Sequence, residues 1–120
     1  MIFIGTDIVS ILRIKRLIIE RGNRFLDHVY TKHEQKICNN KAAPWIHYSG
    51  KFAAKEAVKK AILSSNSINN ISLKSIEIDN DPMGAPIIKL NKSNIKQHKL
   101  KVSLSHAGEY ATATVILEIK

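Results

Sequence analysis

The hydrophobic period switches early in the chain and switches back late, and this pair of changes limits the fold more than any other feature. Residues 2–6 are an apolar run that reads as a short buried strand, whereas Ile8, Ile11, Leu12, Ile18 and Ile19 fall near helical spacing over residues 8–21. Gly22 marks the expected end of that helix, and Arg13, Arg16 and Glu20 stand at i, i+3 and i+7 on another of its faces. Thr31 with Glu34 is a capping-box pattern and predicts a short helix over residues 31–39, followed by a loop to Pro44. Residues 45–63, dense in Ala, Lys and Glu, predict a long helix.

After a polar, aperiodic stretch at 64–70 the period returns to two. Residues 72–79 carry Ile76 and Ile78 in step, Asn80-Asp81-Pro82-Met83-Gly84-Ala85-Pro86 is turn chemistry, and residues 87–90 supply the returning strand of a hairpin. Residues 101–105 and 111–119 form a closing antiparallel pair joined through His106-Ala107-Gly108-Glu109. The predicted order is β-α-α-α-β-β-β-β, and the fold class is α+β: an antiparallel sheet packed with helices in a single domain over residues 1–120.

A chain of 120 residues, 44% of them hydrophobic, can build a core without disulfide or metal staples. Cys38 is the single cysteine, so an internal disulfide and a cysteine-rich zinc site are excluded, and a reducing compartment suits the composition. Nineteen Lys and Arg against ten Asp and Glu leave a formal charge of +9, which implies an acidic partner: a nucleic acid, an anionic surface, a phosphorylated small molecule or an acidic protein. The N-terminal apolar run lacks a basic region and is interrupted by Asp7, so it is not a targeting segment. No apolar stretch approaches the ~20 residues that span a bilayer. The expectation is a cytoplasmic protein with no membrane partner. The 6% aromatic content, with no Walker loop and no RNP-like strand, argues against a nucleic-acid partner.

Few residues qualify as candidates for chemistry. Asp7 stands where strand meets helix and is either a helix N-cap or a carboxylate reaching toward a ligand. Phe52, Glu56 and Lys60 lie at i, i+4 and i+8 on one helical face, where Glu56 and Lys60 make either an ordinary surface ion pair or part of a site. Asp79-Asn80-Asp81 before Gly84 invites a calcium-loop reading, which fails because the closing acidic position would fall at Leu90. Asx-turn chemistry accounts for it better. His106, beside Ser103 and Ser105 at a strand end, suits phosphate contact or proton transfer, but a lone histidine decides nothing. No G-x-S-x-G or H-E-x-x-H occurs, so those hydrolase classes have no support.

Four ordered blocks carry more information together. Gly5-Thr6-Asp7-Ile8-Val9 with Arg13-Ile14, Phe52-Ala53-Ala54-Lys55-Glu56-Ala57 with Lys60-Ala61, the Asn80 to Pro86 turn, and Val102-Ser103-Leu104-Ser105-His106 with Tyr110-Ala111-Thr112-Ala113 resemble the signature of the holo-[acyl-carrier-protein] synthase family. Arg24-Phe25 with Val29, Thr31 and Glu34 resembles the family's segment between the first two blocks. The resemblance implies a 4'-phosphopantetheinyl transferase: coenzyme A gives its phosphopantetheine arm to a serine of acyl carrier protein and adenosine 3',5'-bisphosphate leaves, in support of fatty acid biosynthesis. It also implies a cytoplasmic homotrimer with active sites between subunits.

On the family pattern Asp7 and Glu56 match magnesium-binding carboxylates, and Lys60 matches a lysine on the coenzyme A phosphates. His106 and the turn residues Asn80, Gly84 and Pro86 match elements near the nucleotide and its 3'-phosphate. Magnesium commonly takes one or two carboxylates while substrate phosphates and waters complete its shell, so Asp7 plus Glu56 suffice. Glu56 is the first candidate for the base that takes the serine proton, and His106 is the second. Arg13, Arg16, Arg21 and Arg24 would steer an acidic carrier protein; Arg13 has the motif match, and Arg16 and Arg21 rest on helical geometry.

The chain departs from the family pattern in several places. Ile62-Leu63-Ser64-Ser65-Asn66-Ser67 stands where a glycine-rich turn is usual. Ser10 replaces a common glutamate, Lys51 a common arginine and Ala85 a common lysine, each with loss of charge or bidentate geometry near the implied site. Two competing readings are a small basic RNA-binding or ribosome-associated protein, and a carrier-protein-binding relative that has lost activity.

Overall fold

The computed structural model describes residues 1–66, 70–91 and 98–119. Strand β1 (Ile2–Ser10) runs on past Thr6, so the helical run expected from Ile8 begins later, as α1 (Ile11–Arg21). The reason is that β1 carries apolar side chains on both faces. Phe3 and Val9 pack into the core and Gly5 is buried, whereas Ile2, Ile4 and Ile8 stay exposed. A strand of that kind has no clean alternation to mark where it ends. Ser10 caps α1 by accepting the Arg13 amide at 3.2 Å, so Asp7 is not the N-cap. Gly22 ends the helix at φ +56°, donating its amide to the Ile18 carbonyl at 2.8 Å.

Helix α2 (Asn23–Val29) was not expected from the sequence; it buries Phe25 and Val29, four residues apart. Helix α3 (Lys32–Asn39) has the expected capping box, with Thr31 and Glu34 exchanging both bonds. Helix α4 (Pro44–Ser64) opens on a proline in its first turn, where a missing amide hydrogen costs nothing. A short 3-10 turn over Leu73–Ser75 leads into β2 (Ile76–Asn80) and β3 (Pro86–Leu90). The last pair is β4 (His98–Ala107) and β5 (Tyr110–Ile119).

Two antiparallel sheets result. One has the order β1-β5-β4, with Ile2 opposite Glu118 and Ser10 opposite Tyr110; the other is the β2-β3 hairpin, with Asn80 opposite Pro86. Strand β5 alternates strictly, turning Ala111, Ala113, Val115 and Leu117 inward. Helix α4 lies across this sheet and meets it with Ala53, Ala54, Ala57, Val58 and Ala61, side chains small enough for a close approach. A second apolar cluster, built on Ile14, Ile18, Phe25, Tyr30 and Tyr48, fastens α1 to α3 against the other flank of α4. Among the described residues no helix is long and apolar enough to cross a membrane.

Candidate active site

A close approach of sheet and helix sets up the first half of the site. A Cβ at Gly5 would meet the Ala57 carbonyl oxygen at 1.9 Å, so only glycine lets β1 lie this near α4. Asp7 is two residues further along the strand and therefore on the same face. Its carboxylate meets Lys60 of α4: Nζ is 3.1 Å from Asp7 Oδ1 and donates also to the Thr6 carbonyl at 2.9 Å. The Asp7 side chain is only 14% exposed. Its second oxygen, Oδ2, is the one buried side-chain polar atom among the described residues that has no hydrogen-bond partner.

An orphaned carboxylate oxygen costs about 1–3 kcal/mol or more, and native structures keep few of them without a functional reason. Glu56 lies one helical turn before Lys60 on the same face of α4. The expected i, i+4 ion pair is not formed, because Lys60 turns to Asp7, and Glu56 is half-buried with no hydrogen bond or ion pair among the described residues. The carboxylates of Asp7 and Glu56 are the oxygen donors a hard divalent cation takes, and the open oxygen on Asp7 fits such an ion. Among the described residues no group of three or more His, Cys, Asp or Glu side chains could hold a metal, so any ion here depends on oxygens from elsewhere. The depression around Asp7 and Lys60 has a volume of about 510 Å³ and is bordered by Thr6, Ile8, Thr112 and Thr114.

A second cavity, of about 570 Å³, opens between the hairpin turn, the start of α4 and the end of β4. It brings Asn80, Gly84, Pro86 and His106 together, all four of the residues expected near a nucleotide. The turn is rigid. Asp81 Oδ1 accepts the Met83 and Ala85 amides at 2.9 and 2.8 Å, Asn80 Nδ2 donates to the Gly84 carbonyl at 3.0 Å, and Gly84 sits at φ +89°. This is the Asx chemistry expected there. Lys51, Lys41 and His47 also line the cavity; Lys51, 6% exposed, donates to the Ile78 carbonyl at 2.9 Å. Burial lowers the pKa of His47, and Lys41, Lys51 and His106 lower it further. Asp79 is held far below the ordinary carboxylate range by the Asn80 amide and then by Lys89 and His33. The wall acids are thus already engaged, Asp79 by Lys89 and Asp81 by the turn amides, while Lys41, Lys51, His47 and His106 bring basic groups to the same cavity.

The sequence singled out neither Lys41 nor His47. The available signal was the spacing of His47 and Lys51, one turn apart on one face of α4.

Arg13, Arg16, Arg21 and Arg24 are all exposed, and among the described residues none takes an ion pair. Arg21 and Arg24 border a third cavity of about 740 Å³ with Phe25 and His28. Ile19, 64% exposed, adds an apolar contact to this surface of α1. Where a glycine-rich turn was missed, α4 simply continues to Ser64 and Asn66 takes the left-handed conformation at φ +56°, which asparagine tolerates better than most residues. Ser67 lies outside the described residues.

Comparison with known proteins identifies the family. Residues 3–115 match the 4'-phosphopantetheinyl transferase superfamily. A holo-[acyl-carrier-protein] synthase of Protochlamydia amoebophila is 42% identical over 116 residues, covering 94% of each chain. The holo-[acyl-carrier-protein] synthase of Helicobacter pylori, solved in complex with coenzyme A, superposes with a TM-score of 0.82 at 32% identity, covering 96% of this chain and 99% of that one. The ACPS-CoA complex of Chronobacterium ammoniagenes superposes with a TM-score of 0.87 at 25% identity, covering 100% and 98%. With the motif order, the fold and the near-complete coverage in agreement, the chain belongs to the holo-[acyl-carrier-protein] synthase family of 4'-phosphopantetheinyl transferases.

Proposed function

We propose that this chain, acting as one domain over residues 1–120 in the cytoplasm, transfers the 4'-phosphopantetheine arm of coenzyme A to a serine of apo acyl carrier protein. Adenosine 3',5'-bisphosphate is the other product, and the reaction supports fatty acid biosynthesis. The observation that carries this reading is the unpartnered Asp7 Oδ2 beside Lys60, one turn from an unpaired Glu56.

The serine oxygen attacks the β-phosphorus of coenzyme A, the bond to the bridging oxygen breaks, and negative charge passes to the leaving phosphate. Lys60, held at the strand edge by Thr6 and Asp7, is positioned to meet the pyrophosphate and stabilise that charge where it develops. Magnesium, held by Asp7 and Glu56, would neutralise further phosphate charge when bound. Glu56 is the first candidate to accept the serine proton, since its carboxylate is not spent on another partner among the described residues. The nucleotide fits the basic cavity, with Asn80, Gly84 and Pro86 as one wall and His106 at the 3'-phosphate, a role we favour over base catalysis for this residue.

The two cavities share no lining residue in one chain. A homotrimer that sets the Asp7 half of one subunit against the His106 half of its neighbour would join them. In support, Ile2, Ile4 and Ile8 of β1 and Ile116 of β5 are between 43% and 63% exposed, an apolar face suited to a copy of this chain. The unpaired arginines Arg13, Arg16, Arg21 and Arg24 would orient the acidic carrier protein, chiefly through association rate.

Chromatographic detection of adenosine 3',5'-bisphosphate tests the reading. Release that requires both apo carrier protein and magnesium supports it, and release that proceeds equally without the carrier contradicts it.

A further inference from the structure

The cavity beside the hairpin turn carries four basic side chains: Lys41 before α4, His47 and Lys51 on α4, and His106 near the end of β4. Two acids face them. Asp79 is taken by the Asn80 amide at 2.8 Å, Lys89 at 3.0 Å and His33 at 3.1 Å, while Asp81 Oδ1 is taken by two turn amides. Lys51 is anchored on the Ile78 carbonyl. His47 has no hydrogen bond or ion pair among the described residues, although it lines the same wall. An uncommitted imidazole among three other basic groups resists charging until an anion enters, and a phosphate dianion reverses that balance.

We propose that His47 is a specificity residue for the 3'-phosphate of the nucleotide: it binds that group as an imidazolium, so docking draws a proton from solvent. The proposal rests on the reading that the nucleotide half of coenzyme A occupies this cavity. Partial burial of the ring, and then the cations Lys41, Lys51 and His106, hold the pKa of His47 below its ordinary value in the empty cavity, and the dianion raises it. The sign follows. Below the empty-cavity pKa His47 is already charged, and the advantage it gives the phosphate is lost as pH rises through the bound-state pKa. The phosphate's own ionisation near about pH 6 works in the opposite sense, so the reading must come from the difference between wild type and His47→Gln. His47 is exposed and unpartnered, so this variant is expected to keep the wild-type melting temperature.

The test is calorimetric titration of the full chain with adenosine 3',5'-bisphosphate, in buffers of different ionisation heat. Wild type should take up protons on binding, and His47→Gln should take up fewer. Affinity should fall about tenfold in the variant at about pH 6.5, the scale of one charge-assisted hydrogen bond, and about twofold or less at about pH 8.5. With adenosine 5'-monophosphate, which lacks the 3'-phosphate, wild type and variant should bind alike. Equal affinity and equal proton uptake with the bisphosphate would overturn the role of His47 while leaving the cavity as the nucleotide site. A loss that persists with the monophosphate overturns the 3'-assignment, and failure of wild type to bind the bisphosphate overturns the cavity reading with it.

Discussion

Gly5 and Ala57 meet backbone to backbone, with room for a hydrogen but not for a methyl group: a Cβ on Gly5 would sit 1.9 Å from the Ala57 carbonyl oxygen and 2.9 Å from the Ala61 nitrogen. Because Asp7 follows two residues later and Lys60 precedes Ala61, this contact sets the register of the Asp7 and Lys60 pair. Gly5→Ala must push α4 off the sheet, a strain of about 1–3 kcal/mol or more. Urea denaturation should show the loss, with transferase activity falling further than stability alone explains. Unchanged stability would mean that α4 slides freely on β1.

Glu34 and Lys55 form a fully buried ion pair at the junction of α3 and α4. Glu34 Oε2 also accepts the Ile78 amide at 2.8 Å, and Lys55 donates to the carbonyls of Val29 and Leu73 at 2.7 and 3.1 Å. The pair therefore ties α2, α3, α4, the 3-10 turn and β2 together. Glu34→Gln strands the ammonium and should cost about 3–5 kcal/mol, measured by denaturant unfolding. Adding Lys55→Met should recover part of that loss, and no recovery would assign the effect to the backbone hydrogen bonds of the pair rather than to the stranded charge.

Asp7→Ala and Glu56→Ala should each lower transfer by about two orders of magnitude or more, as expected when transition-state charge loses a stabilising group. Neither should unfold the protein, because Asp7→Ala loses one ion pair to a half-exposed Lys60 that keeps its Thr6 carbonyl bond, and Glu56 takes no hydrogen bond or ion pair among the described residues. Wild-type turnover in either variant, measured at saturating magnesium, would refute the carboxylate assignment.

Alkaline stability carries its own signature. Burial pushes the Cys38 thiol from 9.0 up to about 12, and the Tyr48 hydroxyl from 10.0 up to about 12. Both groups hold their protons longer in the folded chain than in the unfolded one, so stability should fall as pH rises from about 9 toward about 12. Iodoacetamide should leave Cys38 unmodified in the native protein at about pH 8.5 and label it fully in urea, as thiolate chemistry requires. Rapid native labelling would show that the α3 and α4 packing opens.

Local signals in the sequence were read most faithfully. The Thr31 and Glu34 capping box, the glycine end of α1 and the Asx turn at Asp81 each depend on residues a few positions apart, and each is present. The end of β1 is not legible in the sequence because its outward isoleucines continue an apolar pattern into α1, and α2 is too short for periodicity to announce it. The Asp7 and Lys60 contact was beyond local reasoning, which favours a Glu56 pair at i, i+4. Asp7 wins because at the strand Lys60 Nζ meets two acceptors at once, the Asp7 carboxylate and the Thr6 carbonyl. Family motifs supplied the remaining site residues, whereas Lys41 and His47 belong to no motif and emerged only when the hairpin and α4 closed around one cavity.

The most direct measurement is the intact mass of apo acyl carrier protein after incubation with this protein, coenzyme A and magnesium, beside a control containing EDTA. The account predicts a gain of one phosphopantetheine arm with metal and none with EDTA. No gain, using a carrier that another transferase does modify, would contradict the proposed activity and identify the chain as an inactive member of its family.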